Sequence, residues 1–260
     1  MRTLGIGWLM VVVGFLYLPI SVMMLMSFNA SPFYTLPIEW TGHWFAQLAQ
    51  NERLLDAGRN SLLVATVTAV IATVCGTTAA LVLGRGTFRG KRLFQILLLP
   101  PMAIPWLIIG TAMLVFFHWS GIGRGLHAMI LGHVALSLPY VVLVVGTGIQ
   151  TLKPELEEAA MSLGSTPAHA FFAVTLPGLM QSIIAAGLFA FAVSLDQFVV
   201  SYFLAKPGVT TLPVEIYSSI RKGFTPEINA ISTLLLGVSM VLVLAFAWLS
   251  NLGSTAHERR

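Results

Sequence analysis

Asp196 is the only carboxylate inside any of the long apolar stretches of this 260-residue chain. An ionised side chain at the centre of a bilayer costs at least about 2.5 kcal/mol, so acids in such stretches mark solute pathways, gates or buried anchors. Ser194 and Gln197 adjoin it, and Tyr202 follows one and a half helical turns on. An acid, a hydroxyl, an amide and a phenol could hold or pass a polar solute. The alternative for the same acid is an anchor to a neighbouring helix or loop.

A second group of residues reads as a docking surface. Pro154 suits a first helical position, where a missing N–H costs little. Glu155, Glu157 and Glu158 place negative charge at the positive end of the helix dipole. Leu156, Ala159, Ala160 and Leu163 recur on one face at helical spacing. Gly164 is a C-terminal stop, and Thr166-Pro167 opens a second short helix that is expected to run to a break at Leu176-Pro177. The two alanines leave a low-profile face that another protein can approach closely.

A reaction centre is not legible. The chain has no His-Glu-x-x-His pair and no Gly-x-Ser-x-Gly elbow, which argues against an intramembrane enzyme. It also lacks a Gly-x4-Gly-Lys-Ser/Thr phosphate loop, so any ATP that drives it is hydrolysed by another chain. Cys75 is the only cysteine, which excludes an internal disulfide and a cysteine metal cluster; it reads as a small packing residue. His133 reads as a hydrogen-bonded packing residue rather than a ligand.

The elements that position these residues are membrane spans. The chain is 57% hydrophobic and 9% charged, against about 25% charged residues in ordinary soluble domains. A bilayer can accept that much apolar surface at roughly 20 residues per helical span. The apolar segments at about 4–28, 61–83, 93–117, 128–150, 178–203 and 228–250 predict an all-α integral membrane fold with six transmembrane helices. The run from Leu4 to Met26 is longer than a signal-peptide core, so it reads as an uncleaved anchor. Arg85, Arg89, Lys91 and Arg92 concentrate in the short loop 84–92 and belong in the cytoplasm. Six spans then put both termini and the 151–177 loop inside. Arg53, Arg59, Arg124, Lys206, Arg221 and Lys222 fall outside, so the concentrated loop decides the orientation. The net charge of +4 fits lipid headgroups and not nucleic acid, since no basic stripe with interleaved aromatics occurs.

Prolines and small residues mark special positions within the spans. Pro100, Pro101 and Pro105 interrupt the third span and Pro139 the fourth; broken helices are tolerated where they pack in protein or line a wet cavity. Cys75-Gly76, Ala79-Ala80, Gly146, Gly148 and Ala185-Ala186-Gly187 offer small faces for close helix packing. Residues 1–260 read as one transmembrane domain.

Residues 158–177 read Glu158-Ala159-Ala160, three residues, Gly164, nine residues, Val174, one residue, Leu176-Pro177. This resembles the EAA loop of bacterial ABC-importer permeases, with Val174 at an isoleucine position. The resemblance implies that Glu158, Ala159, Ala160, Gly164, Leu176 and Pro177 form the contact with a cytoplasmic ATPase. Ser194 to Val199, Pro207 to Tyr217 and Thr225 to Ala230, with Ser27-Phe28-Asn29 and Asn60-Ser61-Leu62, are similar to the second-permease type of the spermidine/putrescine (polyamine) importers. That likeness covers most of the chain.

The resemblance implies the type I ABC importer (MetI-like) permease fold in the bacterial inner membrane, multi-pass and surrounded by lipid. It implies a second, different permease subunit, two copies of an ABC ATPase and a periplasmic substrate-binding protein. This chain would bind no cofactor of its own; ATP and Mg would sit on the ATPase. Asp196, Gln197, Ser194, Tyr202, Trp106 and Pro105 are the candidates for a translocation pathway or gate. Two positions depart from the pattern. Gln197 replaces the second acid of an Asp-Asp/Glu pair, and Trp106 follows Ile104-Pro105 where polyamine permeases carry an acid. A dication path gains from negative charge, so an opine, another amino compound or an organophosphonate is the alternative solute. An ion-coupled secondary transporter is the alternative class. It would need more embedded charge, and it often shows an internal repeat.

Overall fold

In a computed structural model, residues 2–31, 35–222, 227–238 and 240–241 are described. Among them the chain is helical throughout, with two isolated β-bridges and no strand. It divides into two compact units: the described parts of Met1–Asp56 with Glu215–Val241, and the stretch Ala57–Val214.

In the first unit, α1 (Arg2–Met26) is apolar, and from Gly5 to Pro19 it is exposed, as a lipid-facing helix must be. Asn29 organises the segment after it. Its buried side chain donates to the Thr35 carbonyl at 2.9 Å and accepts from the Glu39 and Ser31 N–H groups, each at 3.3 Å. Its own carbonyl takes the Trp44 indole N–H at 2.7 Å from α2 (His43–Leu48). Arg53 pairs with the buried Glu215 at 2.8 Å, and Asn51 donates to Glu227 at 3.1 Å.

The chain continues through α3 (Glu52–Arg85), α4 (Lys91–Leu97), α5 (Pro100–Ala103), α6 (Trp106–Trp119) and α7 (Leu126–Thr151). The loop region carries α8 (Pro154–Ser162) and α9 (Pro167–Ala170), followed by α10 (Leu176–Leu195), α11 (Val199–Leu204) and α12 (Leu212–Lys222). An apolar helix, α13, covers Glu227–Val238.

The core of the larger unit is built where small residues let helices touch. A Cβ on Gly76 of α3 would lie 2.5 Å from Val141 of α7, and one on Gly110 of α6 would lie 2.9 Å from Phe203 of α11. Gly148 faces Ser182 and Gly187 faces Thr73 at similarly close approach. Ala72, Ala80, Ala186 and Ala190 are buried in the same seam. Close packing of this kind substitutes for a hydrophobic driving force that lipid does not supply. Cys75 and Gly146 depart from the expected small faces: Cys75 is exposed, and nothing lies within 4 Å of a Cβ on Gly146.

Among the described residues, four helices are long and apolar enough to cross a membrane, or five if one bent pair is counted as a span. Of the sixth expected segment, 228–250, residues 228–238 form a described apolar helix, and 239 and 242–250 lie outside the described residues. Two expectations need correction, at Pro139 and in the segment 178–203. The prolines interrupt the segment 93–117 as expected, and Lys91–Ala103 and Trp106–Trp119 meet at 108°. Ile104 precedes Pro105 and is extended at φ −77°, ψ 133°, as steric conflict with a following proline demands. Pro139 does not interrupt α7, which runs through it. The segment 178–203 ends as a helix at Leu195, and α11 restarts three residues later. Helix α3 is longer than expected: its 34 residues span about 51 Å, more than the roughly 30 Å hydrocarbon core.

Candidate functional site

The candidate docking loop, 151–177, forms as its residues dictate. Pro154 opens α8, and Gly164 follows its end at φ +97°, in the left-handed region that glycine enters freely. The Ser165 N–H reaches back to the Ala160 carbonyl at 3.1 Å, closing the helix end. Thr166 caps α9 by accepting the His169 N–H at 3.3 Å, with Pro167 at the first helical position. Glu158, Ala159, Gly164 and Pro177 are exposed, while Ala160 and Leu176 are half-buried. Leu156, Met161, Leu163 and Phe172 stand out of the loop, Leu163 at 89% exposure.

No break occurs at Leu176-Pro177, against expectation. The helix continues from Pro167 to Leu195 through a π-helical turn at Phe171–Thr175. Pro177 lacks an N–H and would collide with a regular helical carbonyl, and the widened turn just before it gives the ring room.

The π turn also does something that the sequence did not reveal. It presents the buried Thr175 hydroxyl, which donates to Glu157 Oε2 at 2.5 Å. The same oxygen receives Arg85 Nη1 at 2.6 Å, and Arg85 Nη2 lies 3.3 Å from the Thr175 oxygen. The Thr175 hydrogen bond first, and the Arg85 guanidinium after it, hold the Glu157 carboxyl below its ordinary value. Glu157 is therefore a tether between the end of α3, the docking helix and the start of α10. Helical charge placement accounts for an acid there, but its partners lie 72 and 18 residues away in sequence. Beside this triangle a cavity of about 1160 Å³ opens among α3, α4, α7 and α8, with Arg92, Gln95, Gln150 and Glu158 in its wall.

The second candidate site lies at the break between α10 and α11. Asp196 is the C-cap residue of α10 and is exposed. No cation meets its carboxylate among the described residues. Tyr202 is exposed, with its ring 5.6 Å from Phe198. Pro105 and Trp106 are exposed at the start of α6, the helix that packs on α11 through Gly110.

Ser194 and Gln197 differ from these four because both are buried. The Ser194 hydroxyl lies 2.8 Å from His133 Nδ1, and the Ser201 hydroxyl lies 3.0 Å from His133 Nε2. His133 is thus the hydrogen-bonded packing residue expected, with partners on both sides of the break. Both amide atoms of Gln197 are buried, with no hydrogen-bond partner among the described residues.

Residues 72–254 match the family described as binding-protein-dependent transport system inner membrane component. The chain belongs to that family. This permease is 39% identical to the putrescine transport system permease protein PotI of Escherichia coli (strain K12), over 90% of this chain and 85% of that one. It is 34% identical to the spermidine/putrescine transport system permease protein PotC of the same strain, over 94% and 92% of the two chains. Its fold is similar to that of a bacterial ABC transporter involved in the import of the acidic polysaccharide alginate. The TM-score there is 0.73 at 17% identity, covering 98% of this permease and 94% of that chain. The architecture is that of an ABC-importer membrane subunit, in the inner membrane.

Segments that carry the family likeness meet in space. Asn60 donates to the Thr210 carbonyl at 3.0 Å, and the Ser61 hydroxyl accepts the Leu212 N–H at 2.7 Å. Two matching stretches about 150 residues apart are thus one structural unit.

Proposed function

We propose that this permease is one of two different membrane subunits of an importer that carries a polyamine, putrescine or a close relative, from periplasm to cytoplasm. The observation that carries the reading is whole-length similarity to two permeases named for polyamine transport. Residues 1–260 act as one transmembrane domain of six spans with both termini in the cytoplasm. Two ATPase copies bind ATP and Mg, a periplasmic binding protein delivers the solute, and this chain holds no cofactor.

The docking loop meets the ATPase. Its exposed Leu163, Leu156 and Ala159 form an apolar, low-relief patch, and Glu158 and Gly164 border it. Asp196 is the pathway acid. It stands exposed at a helix break, with the aromatic Tyr202 on the following helix. A carboxylate draws a protonated amine, and aromatic faces attract the same cation. Trp106 and Pro105 lie at the other broken helix and contribute an aromatic ring where polyamine permeases carry an acid.

Burial of Gln197 bears on the solute. The position where polyamine permeases carry a second acid is inside the core here, so glutamine removes no charge from an exposed surface. A cationic solute is therefore compatible with the substitution, and an opine or organophosphonate remains the second reading. Calorimetric titration of the partner binding protein tests the choice. Micromolar or tighter binding of putrescine, with no binding of opines or 2-aminoethylphosphonate, supports it. The opposite selectivity overturns the polyamine assignment and leaves the permease assignment standing.

A further inference from the structure

His133 lies on α7, and its two ring nitrogens face hydroxyls on two other helices. Ser194 Oγ is 2.8 Å away near the end of α10, and Ser201 Oγ is 3.0 Å away within α11. Asp196 lies between those serines in sequence. An imidazole offers a donor at one nitrogen and an acceptor at the other, so one ring satisfies both hydroxyls. All three side chains are buried. In an environment without water such bonds have few competitors, and the loss of one leaves its partner unpaired.

The neighbouring residue makes α7 the common support of both halves. A Cβ on Gly132 would lie 2.8 Å from Val200 and 3.1 Å from Leu204, so α7 and α11 touch directly beside the imidazole. On the other side, Gly148 of α7 lies against Ser182 of α10. Backbone that breaks at membrane depth frees polar groups that need partners. Here side chains on both sides of the break, Ser194 and Ser201, are joined through a third helix.

We infer that His133 is a positioning residue for transport, a staple that makes α10 and α11 move with α7 as one body and so holds Asp196 at a fixed place in the pathway. This rests on reading Asp196 as the pathway acid. Motion during the cycle then occurs elsewhere, and the break is a rigid corner rather than a hinge. Without the staple, α11 swings independently and the acid loses its position, so ATP is spent without solute moving.

The test uses the complete assembly with its partner subunits. Cys75→Ser removes the native thiol, and Phe189→Cys with Tyr202→Cys carry spin labels on α10 and α11, both at exposed positions. The wild-type background is expected to give one narrow inter-spin distance, the same in ATP-free and ATP-trapped states. His133→Phe is expected to broaden it. In unlabelled complexes, His133→Phe is expected to lower solute moved per ATP hydrolysed by about tenfold, the scale of one or two lost buried hydrogen bonds. His133→Gln keeps a donor and an acceptor and is expected to restore both readouts in large part. If His133→Phe does not assemble, Ser194→Ala and Ser201→Ala each cut one link, and both should broaden the distance. An assembled His133→Phe, or both serine variants, with wild-type distance and wild-type transport per ATP would overturn the inference. A wild-type complex that ignores putrescine contradicts the polyamine reading instead, and the spin distances still read the staple.

Discussion

The Thr175 hydroxyl and the Glu157 carboxylate are joined by a 2.5 Å hydrogen bond from the π turn before α10 to α8. Arg85 closes the triangle from the last turn of α3. On the proposed docking role of α8, a push from an ATPase would move two membrane helices directly. Thr175→Val keeps the shape of the side chain and removes the donor. We expect it to lower the melting temperature of the complex by a few degrees, consistent with about 1–2 kcal/mol for one charge-assisted bond. We also expect it to raise ATP hydrolysis relative to uptake. Unchanged uptake per ATP in a destabilised complex would make the triangle structural only.

The same contact predicts a pH dependence. The folded Glu157 carboxyl lies below its ordinary value, chiefly through Thr175 and then Arg85. A depressed value means that the stabilisation is fully present above the ordinary carboxylate range and is lost as pH falls through the lowered folded value. Melting curves of wild type and Glu157→Gln should therefore differ at neutral pH and converge on acidification below about pH 4.5. A difference that grows with acid would contradict the assignment.

Gly164 separates backbone strain from docking. Its φ of +97° suits glycine, yet a Cβ there meets nothing within 4 Å. Asparagine and aspartate tolerate left-handed backbone better than other residues. Gly164→Asn should assemble and transport at a reduced but measurable rate. Gly164→Asp should assemble as well but lose uptake, because the new charge would sit on the proposed docking face; Glu158→Lys should act in the same direction more weakly. Equal uptake by Gly164→Asn and Gly164→Asp in proteoliposomes would remove the electrostatic part of this argument.

Much of the loop was legible because its signals are local. Pro154, Gly164 and Thr166-Pro167 specify a start, a stop and a second start through their own backbone chemistry, and each does so in the structure. What escaped depends on distant partners. Thr175 and Arg85 give no hint in sequence that they share Glu157. The size of the bend at Ile104-Pro105 follows from one extended residue, and only its existence was readable from the prolines. Asp196 was expected within a continuous span. The helix ends there, and the serines flanking it turn inward to His133. A buried histidine on the same helix face as Ser137 was the available signal for an internal polar cluster.

Gln197 and Asp196 should respond in opposite ways to loss of polarity. The Gln197 amide is buried without a partner, so Gln197→Met replaces it with an apolar side chain of similar volume. We expect the melting temperature to rise by a few degrees, since an unsatisfied buried amide costs about 1–3 kcal/mol. Asp196→Asn should leave stability near wild type and cut uptake at least tenfold, because the carboxylate is exposed and meets no cation among the described residues. Lost stability with normal coupling in Asp196→Asn would instead identify an anchor.

Assembly gives an independent check. Native mass measurement of the purified transporter should find this permease once, with one different permease and two ATPase chains. Two copies of this chain with no other permease would refute the heterodimer.

The most direct measurement is ATP-driven uptake of radiolabelled putrescine into proteoliposomes that hold the complete assembly, with the binding protein outside. Uptake that requires ATP and the binding protein, and that disappears with Gly164→Asp while the complex stays intact, is the predicted result. Putrescine accumulation without ATP, or undiminished in the Gly164→Asp complex, would contradict the account.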